Sequence, residues 1–329
     1  MARINAFDRK IEKDLDGEFG KRIIRECPAV ERRSNLSVEE FEVEYFNSGR
    51  PVILKNAGRD WAIWKKWNFD FLRQTYGEDK VAADVYSKQP RVMKMSEVLD
   101  GILNYDPTSK TLPAYLQQWS LASYAPELLG DFKPLEYIRK NWFAEKMNLR
   151  TGLLWVGPQN ATTFIHQDIY GLQTWNAQIV GRKLWFMFSP ESQPLNTDKE
   201  VDYDKFLADP KSKATYFYLE PGEIAFVPKG WWHRVRTLEP SINLSGHILG
   251  EEDVPRMVKA IMITEAMGWL NHDLIKNSDP GLYETSRERC RARMLAFGLD
   301  PNDILGINKE ISVSQATDLI NLKGKFLES

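Results

Sequence analysis

The sequence predicts a mainly β protein with helices at both ends, and three observations carry that expectation. From Gly152 onward, short apolar runs recur between Gly and Pro turns, at the density expected of an all-β sandwich or barrel. Before residue 110, polar helical stretches alternate with isolated strand-like runs. After Pro255 the apolar spacing lengthens to three and four, placing Met257, Val258, Ile261, Met262, Glu265 and Trp269 on one helical face. The expected division is an N-terminal α/β region over 1–110, a β domain over 111–250 and a helical region over 251–329.

Residues 1–50 read as helical and polar, with Ser37 and Glu40 spaced as a capping box at a helix start. Residues 50–55 read as a short strand with Pro51 at its entry, where a missing N–H is tolerated. The aromatic stretch 61–72 is expected to be partly helical and to pack as core. A strand at 80–86 and a helix at 95–103 follow, then a strand near 115–119 and a helical or irregular stretch over 121–145. Strands are expected at 151–156, 162–168, 172–179, 183–189, 215–219, 223–227, 232–237 and 241–249. Residues 180–182 read as a hairpin turn between two of them. Residues 192–213 form a long polar connection, and a last helix is expected at 314–327.

Composition excludes several classes. With 43% hydrophobic and 27% charged residues the chain is ordinary globular material, not a disordered one. Its aromatic content of 12%, including 11 Trp, predicts large buried rings. The net charge of −2, with both signs interspersed, argues against nucleic acid or an anionic membrane as partner. No apolar run is long enough to span a bilayer, and the N-terminus lacks a signal-peptide core. Cys27 and Cys290 are far apart and form no metal or disulfide framework, so a reduced, cytoplasmic protein is expected.

The stretch Thr163-Phe164-Ile165-His166-Gln167-Asp168 carries the strongest chemical signal. On a strand, residues two apart share a face, so His166 and Asp168 can reach one point. A second histidine, His233, ends the run Val227-Pro228-Lys229-Gly230-Trp231-Trp232-His233. Two imidazoles and one carboxylate are the facial ligand set of non-heme Fe(II). The chain has four histidines, so two in ligand-like positions weigh more than they would in a His-rich sequence. The plain alternatives are a core histidine bonded to backbone for His166, a turn residue for Asp168 and a strand-end residue for His233.

Residues 160–250 resemble the Jumonji-C branch of the cupin superfamily, the Fe(II)/2-oxoglutarate oxygenases, and within it the hydroxylase-type members. The resemblance lies in His166-Gln167-Asp168, in residues 174–185 (TWNAQIVGRKLW), in residues 220–228 (EPGEIAFVP) and in Gly230-Trp231-Trp232-His233. It reaches upstream to residues 50–54, Asp60-Trp61 and Tyr115-Leu116-Gln117-Gln118. It implies a double-stranded β-helix (jelly-roll, cupin) core and iron held by His166, Asp168 and His233. It also implies a 2-oxoglutarate site in which Lys183 pairs with the distal carboxylate, aided by Thr163 and Tyr115, with Asn176 and Ser245 nearby. An ideal strand would turn Thr163 away from His166, so that assignment requires a bulge or strong twist. Gln117 and His247 are expected on the substrate side. His247 alternates with Asn243 and Ser245 onto one face of the last strand, and a backbone-bonded histidine is the plain alternative there.

The implied activity is O2-dependent hydroxylation of an unactivated C–H bond of a peptide or protein side chain, with release of succinate and CO2. A free amino acid or natural product is the alternative substrate, with N-demethylation as a variant outcome. A Zn or Mn isomerase on the same barrel and a non-catalytic cupin binding module are the rivals from other classes. By the same resemblance, the C-terminal helices are expected to form a homodimer.

Overall fold

The structure is a computed structural model that describes residues 13–85, 89–147, 152–168, 172–192 and 202–254. The chain divides into two units, residues 1–168 with 173–248, and residues 169–172 with 249–329. Of the second unit, Leu172 and residues 249–254 are described, with a 3-10 turn at Glu251–Asp253. The helical faces expected after Pro255 lie outside the described residues.

The first unit is built from twelve described strands. These are β1 (Arg32–Ser34), β2 (Val52–Lys55), β3 (Lys80–Val85), β4 (Gln89–Lys94), β5 (Leu116–Ser120) and β6 (Leu153–Gly157). They continue with β7 (Gln173–Val180), β8 (Lys183–Phe188), β9 (Ala214–Leu219), β10 (Glu223–Val227), β11 (Trp232–Thr237) and β12 (Ser241–Ile248). A large sheet has the order β1-β2-β10-β7-β12-β6-β5, a small one β11-β8-β9, and β3 pairs with β4 alone. Successive strands change sheet: β6 large, residues 162–166 bridging to small-sheet β11, β7 large and β8 small. The path then returns through β9 small, β10 large, β11 small and β12 large. That alternation is the double-stranded β-helix, and the mainly β expectation holds.

Two expectations change. The turn at 180–182 is not a hairpin, because β7 and β8 belong to different sheets; Gly181 and Arg182 carry the chain from one layer to the other. Gly181 takes φ +71°, and a Cβ there would meet the Pro240 carbonyl oxygen at 2.2 Å, so the crossing requires glycine. Residues 162–168 are not a regular strand either. They touch β11 through isolated bridges at Thr162–Arg236 and His166–His233. Between these, the Val235 N–H donates to Thr163 Oγ1 (3.0 Å), so a side chain takes the place of a ladder carbonyl.

The N-terminal elements form as their caps and patterns dictate. The capping box at Ser37 is present, with Ser37 Oγ accepting from the Glu40 N–H (3.1 Å) and the Glu40 carboxylate accepting from the Ser37 N–H (2.8 Å). It starts a short helix, Val38–Phe41, whose Phe41 packs edge-on against Phe226 of β10 with ring centroids 5.1 Å apart. The stretch 61–72 is core, as expected: Trp61 and Trp67 are buried, and short helices run over Ile63–Lys66 and Phe69–Tyr76. β1, missed in the sequence, pairs in parallel with β2 and lengthens the large sheet.

The burial pattern of the large sheet is inverted relative to a simple barrel. On β7, Trp175, Ala177 and Ile179 join the apolar cluster made with the N-terminal residues Phe41, Trp61 and Trp67. Thr174, Asn176 and Gln178 are buried between them on the other face of the strand. On β12, Ile242, Leu244 and Ile248 join the same outer cluster, while Asn243 and Ser245 alternate inward. Gly246 admits Trp175, whose ring atoms would lie 2.5 Å from a Cβ there. The N-terminal region thus covers the apolar back of the sheet and leaves its polar face to line the interior. The small sheet is backed by Leu15, by Phe19 and Ile23 of the helix Glu18–Glu26, and by Phe206 of the helix Tyr203–Ala208.

Candidate metal centre and anion pocket

The segment 162–168 lies beside β11, and one bridge sets the centre's geometry. The His166 N–H donates to the His233 carbonyl (3.1 Å) and the His233 N–H to the His166 carbonyl (2.8 Å). This reciprocal pair brings the two imidazoles together, with ring centroids 4.2 Å apart. Asp168, two residues on, completes a cluster whose donor atoms lie within 4.8 Å of one another. His233 Nε2 is 4.0 Å from Asp168 Oδ1.

Each ring is oriented by a backbone carbonyl. His166 Nδ1 lies 2.8 Å from the Phe164 oxygen and His233 Nδ1 lies 3.1 Å from the Trp231 oxygen. A proton on each Nδ1 leaves Nε2 as the lone-pair donor, the tautomer a metal requires. The His233 ring also stacks on Trp185, with centroids 5.6 Å apart, and Trp185 in turn stacks on Phe217 at 5.4 Å. Burial, helped by the neighbouring His233, pushes the His166 pKa down to about 4. His166 is therefore neutral at neutral pH and has no proton to lose to an incoming metal. Two imidazole nitrogens and one carboxylate on one side of a cavity fit a facial metal site with its remaining positions open.

The cavity beside the cluster encloses about 560 Å³ of empty space, its mouth included. His166, Asp168, His233, Lys183, Thr163, Tyr115, Asn176, Ser245 and His247 all line it. Lys183 is 3% exposed, with its Nζ 3.5 Å from the Tyr115 hydroxyl and no carboxylate paired to it among the described residues. Burial alone drives its pKa down to about 7. Thr163 reaches the cavity because its segment is irregular, as the bulge requirement foresaw. The Ser245 Oγ accepts from the Trp155 indole N–H (2.8 Å). His247 is buried enough to lower its pKa, with Asp168 acting in the opposite direction.

Gln117 is the exception. The wall is formed by Gln118, which adopts φ +54° where β5 slips its register against β6 between Leu116 and Trp119. A uniform two-residue alternation cannot anticipate that bulge. Sequence reasoning also missed Trp155, Thr174 and Trp185 on the wall. For Thr174 a signal existed: it stands two residues before Asn176 and shares its face.

A family model described as a cupin-like domain matches residues 38–246. The chain belongs to the cupin-like family of Jumonji-C domains. Among its relatives is the lysine-specific demethylase JMJ21 of Arabidopsis thaliana, 30% identical in an alignment of 248 residues that covers 68% of this chain and 26% of that protein. The bifunctional arginine demethylase and lysyl-hydroxylase psr-1 of Caenorhabditis briggsae is 29% identical, over 61% of this chain and 56% of that protein. The 2-oxoglutarate and iron-dependent oxygenase JMJD4 homolog of Drosophila melanogaster is 23% identical, over 66% of this chain and 63% of that protein. This cupin-like chain therefore spans less than two thirds of the length of these curated relatives. Among its described residues no helix is long and apolar enough to cross a membrane.

Proposed function

We propose that this chain is an Fe(II)- and 2-oxoglutarate-dependent oxygenase that hydroxylates an unactivated C–H bond of a peptide or protein side chain, releasing succinate and CO2. The observation that carries the reading is Lys183, a buried lysine without a paired carboxylate among the described residues, on the wall of the cavity that holds the His166, Asp168 and His233 donors. A buried ammonium without counter-charge is costly to the fold, and a dicarboxylate cosubstrate supplies that charge. Two hydroxyls are prepared in the same sense. Thr163 Oγ1 accepts the Val235 N–H and Ser245 Oγ accepts the Trp155 N–H, so each directs its own hydrogen elsewhere, suited to an anion. Tyr115 and Asn176 add a phenol and an amide to the same wall.

His166, Asp168 and His233 would hold the metal. When bound, iron with 2-oxoglutarate supplies O2 activation coupled to oxidative decarboxylation, chemistry that side chains alone do not provide. The chain's part is to keep the His166 imidazole neutral, to hold the cosubstrate's distal end through Lys183 and to exclude water with Trp185 and Val235. Gln118, Trp155 and His247 line what remains of the wall and are the residues proposed to meet the substrate.

A peptide substrate is supported by relatives named for lysine- and arginine-directed reactions. Those names also favour a second reading, removal of an N-methyl group by hydroxylation of its carbon. A free amino acid or natural product is the alternative substrate. The deciding experiment incubates the protein with Fe(II), 2-oxoglutarate and O2, with and without lysine- and arginine-containing peptides, methylated and unmethylated. O2-dependent succinate is the expected product. A peptide that gains one oxygen marks hydroxylation, and loss of a methyl group with formaldehyde marks demethylation. Tight 2-oxoglutarate binding without O2-dependent succinate under any condition would favour a binding module instead. A homodimer formed through residues 251–329 belongs to the same proposal, and a monomeric mass in light scattering would remove it.

A further inference from the structure

The two histidine rings are held by backbone carbonyls, but the third donor is held by a side chain. Thr174 Oγ1 lies 3.1 Å from Asp168 Oδ2. One step further back, Asn176 Nδ2 donates to Thr174 Oγ1 at 3.4 Å. Both residues stand on the inward face of β7, Thr174 5% and Asn176 7% exposed. A threonine hydroxyl has one hydrogen. With Asn176 donating to its oxygen, that hydrogen points to Asp168. Asp168 Oδ2 is therefore engaged from the β7 side, while Oδ1 is the oxygen near His233 Nε2.

We propose that Thr174, oriented by Asn176, is the positioning residue that makes Asp168 offer one oxygen to the metal and withholds the other. Carboxylates bind metals through one or both oxygens. A carboxylate offering both would take up a position that a facial site keeps open for ligands. Thr174 thus acts at one remove, on the number of open positions as well as on affinity. Outer partners of metal ligands typically contribute tenfold to a hundredfold in affinity. This inference rests on the proposed metal site.

The test uses Co(II), a spectroscopic stand-in, with the full-length protein and three variants. Thr174→Val removes the hydroxyl at nearly constant volume, Thr174→Ser restores it, and Asn176→Leu leaves the hydroxyl without its orienting donor. Co(II) affinity is read by titration calorimetry, the coordination environment by the visible d–d spectrum, and folding by circular dichroism and thermal melting. Expected for Thr174→Val are an affinity about tenfold to a hundredfold weaker, an altered d–d spectrum and a smaller spectral response to 2-oxoglutarate. Thr174→Ser should restore both affinity and spectrum, and Asn176→Leu should fall between. A folded Thr174→Val protein with wild-type Co(II) affinity and spectrum overturns the proposal. So does a Thr174→Ser protein as impaired as Thr174→Val, because the threonine would then act by packing. If Thr174→Val fails to fold, the Thr174→Ser and Asn176→Leu pair decides: equal impairment, or none in Asn176→Leu, overturns it. Wild-type protein that binds no Co(II) at all refutes the metal site itself, a distinguishable result.

Discussion

The two sheets reach the same cavity by opposite means. The large sheet is regular behind the carboxylate: from Asn243 onward β12 pairs with β7 in unbroken antiparallel register, bringing Asn176 opposite Ser245 and Thr174 opposite His247. The small sheet is ragged at its metal-facing edge, where 162–168 touches β11 through isolated bridges. The ragged edge presents His166, Asp168 and Thr163, and the regular sheet presents Thr174 and Asn176 behind the carboxylate. The irregular edge lets Thr163 share a cavity with His166, three residues on, which strict alternation would turn to the opposite face. Holding those side chains in place requires a rigid neighbour, which the β7–β12 ladder provides beside Thr174 and Asn176.

The largest predicted effect breaks the ragged edge. His166→Ala or Asp168→Ala should lower O2-dependent succinate formation well beyond the ~10²-fold upper range for losing an outer partner, with circular dichroism unchanged. Normal succinate production in either variant would remove these residues from the metal site.

Next comes the anion end of the pocket. Lys183→Met should weaken 2-oxoglutarate binding by roughly 10- to 150-fold, the worth of a charge-assisted hydrogen bond of about 1.5–3 kcal/mol. The same change should raise the melting temperature of the ligand-free protein, because it removes a buried ammonium that lacks a counter-ion among the described residues. A Lys183→Met protein no more stable than wild type would show that Lys183 is solvated.

A pH titration sharpens this further. The Lys183 pKa is lowered from 10.5 to about 7 by burial, so between those values the unfolded chain holds more protons than the folded one. The penalty that this group places on stability is therefore full below about pH 7 and is relieved as pH rises toward 10.5. Binding a dianion requires the ammonium, so 2-oxoglutarate affinity should fall about tenfold per pH unit above about pH 7, with proton uptake measurable by calorimetry in buffers of different ionisation enthalpy. Binding without proton uptake at about pH 8 contradicts this. His166 has the same sign at lower pH. Its pKa is depressed from 6.5 to about 4, so the metal-free protein should lose stability as pH falls through that window, and His166→Ala should flatten the loss.

The smallest effect lies on the outer face of the small sheet. Arg234, 2% exposed, donates to both oxygens of Asp16, at 2.8 and 2.6 Å. Asp16→Asn should cost more stability than Arg234→Met, by about 1–3 kcal/mol in urea unfolding, because it leaves a buried guanidinium poorly paired. Equal costs would mean that Arg234 is held by packing alone.

Local chemistry made several features legible in advance. The capping box at Ser37, the buried tryptophans of 61–72, the strands from β6 to β12 and the His166–Asp168–His233 constellation all rest on residue type and short spacing. Gln118 illustrates what was not legible. A bulge sends it, and not Gln117, to the cavity wall, and the bulge depends on how β5 registers against β6. The turn at 180–182 was misjudged for a similar reason: Gly181 announces a tight turn, but the strand each end joins is a matter of long-range pairing.

By itself, then, the sequence offered His166, Asp168 and His233 as candidate metal ligands through residue type and spacing, and Lys183 only through the resemblance to Jumonji-C oxygenases. The tertiary structure alone decided their mutual aim. It alternated the strands between two sheets and covered the apolar back of β7 and β12 with the N-terminal region. It also left Lys183 buried without an acid among the described residues and set Thr174 behind Asp168. Burial and register arise from segments far apart in the chain, and no local pattern encodes them.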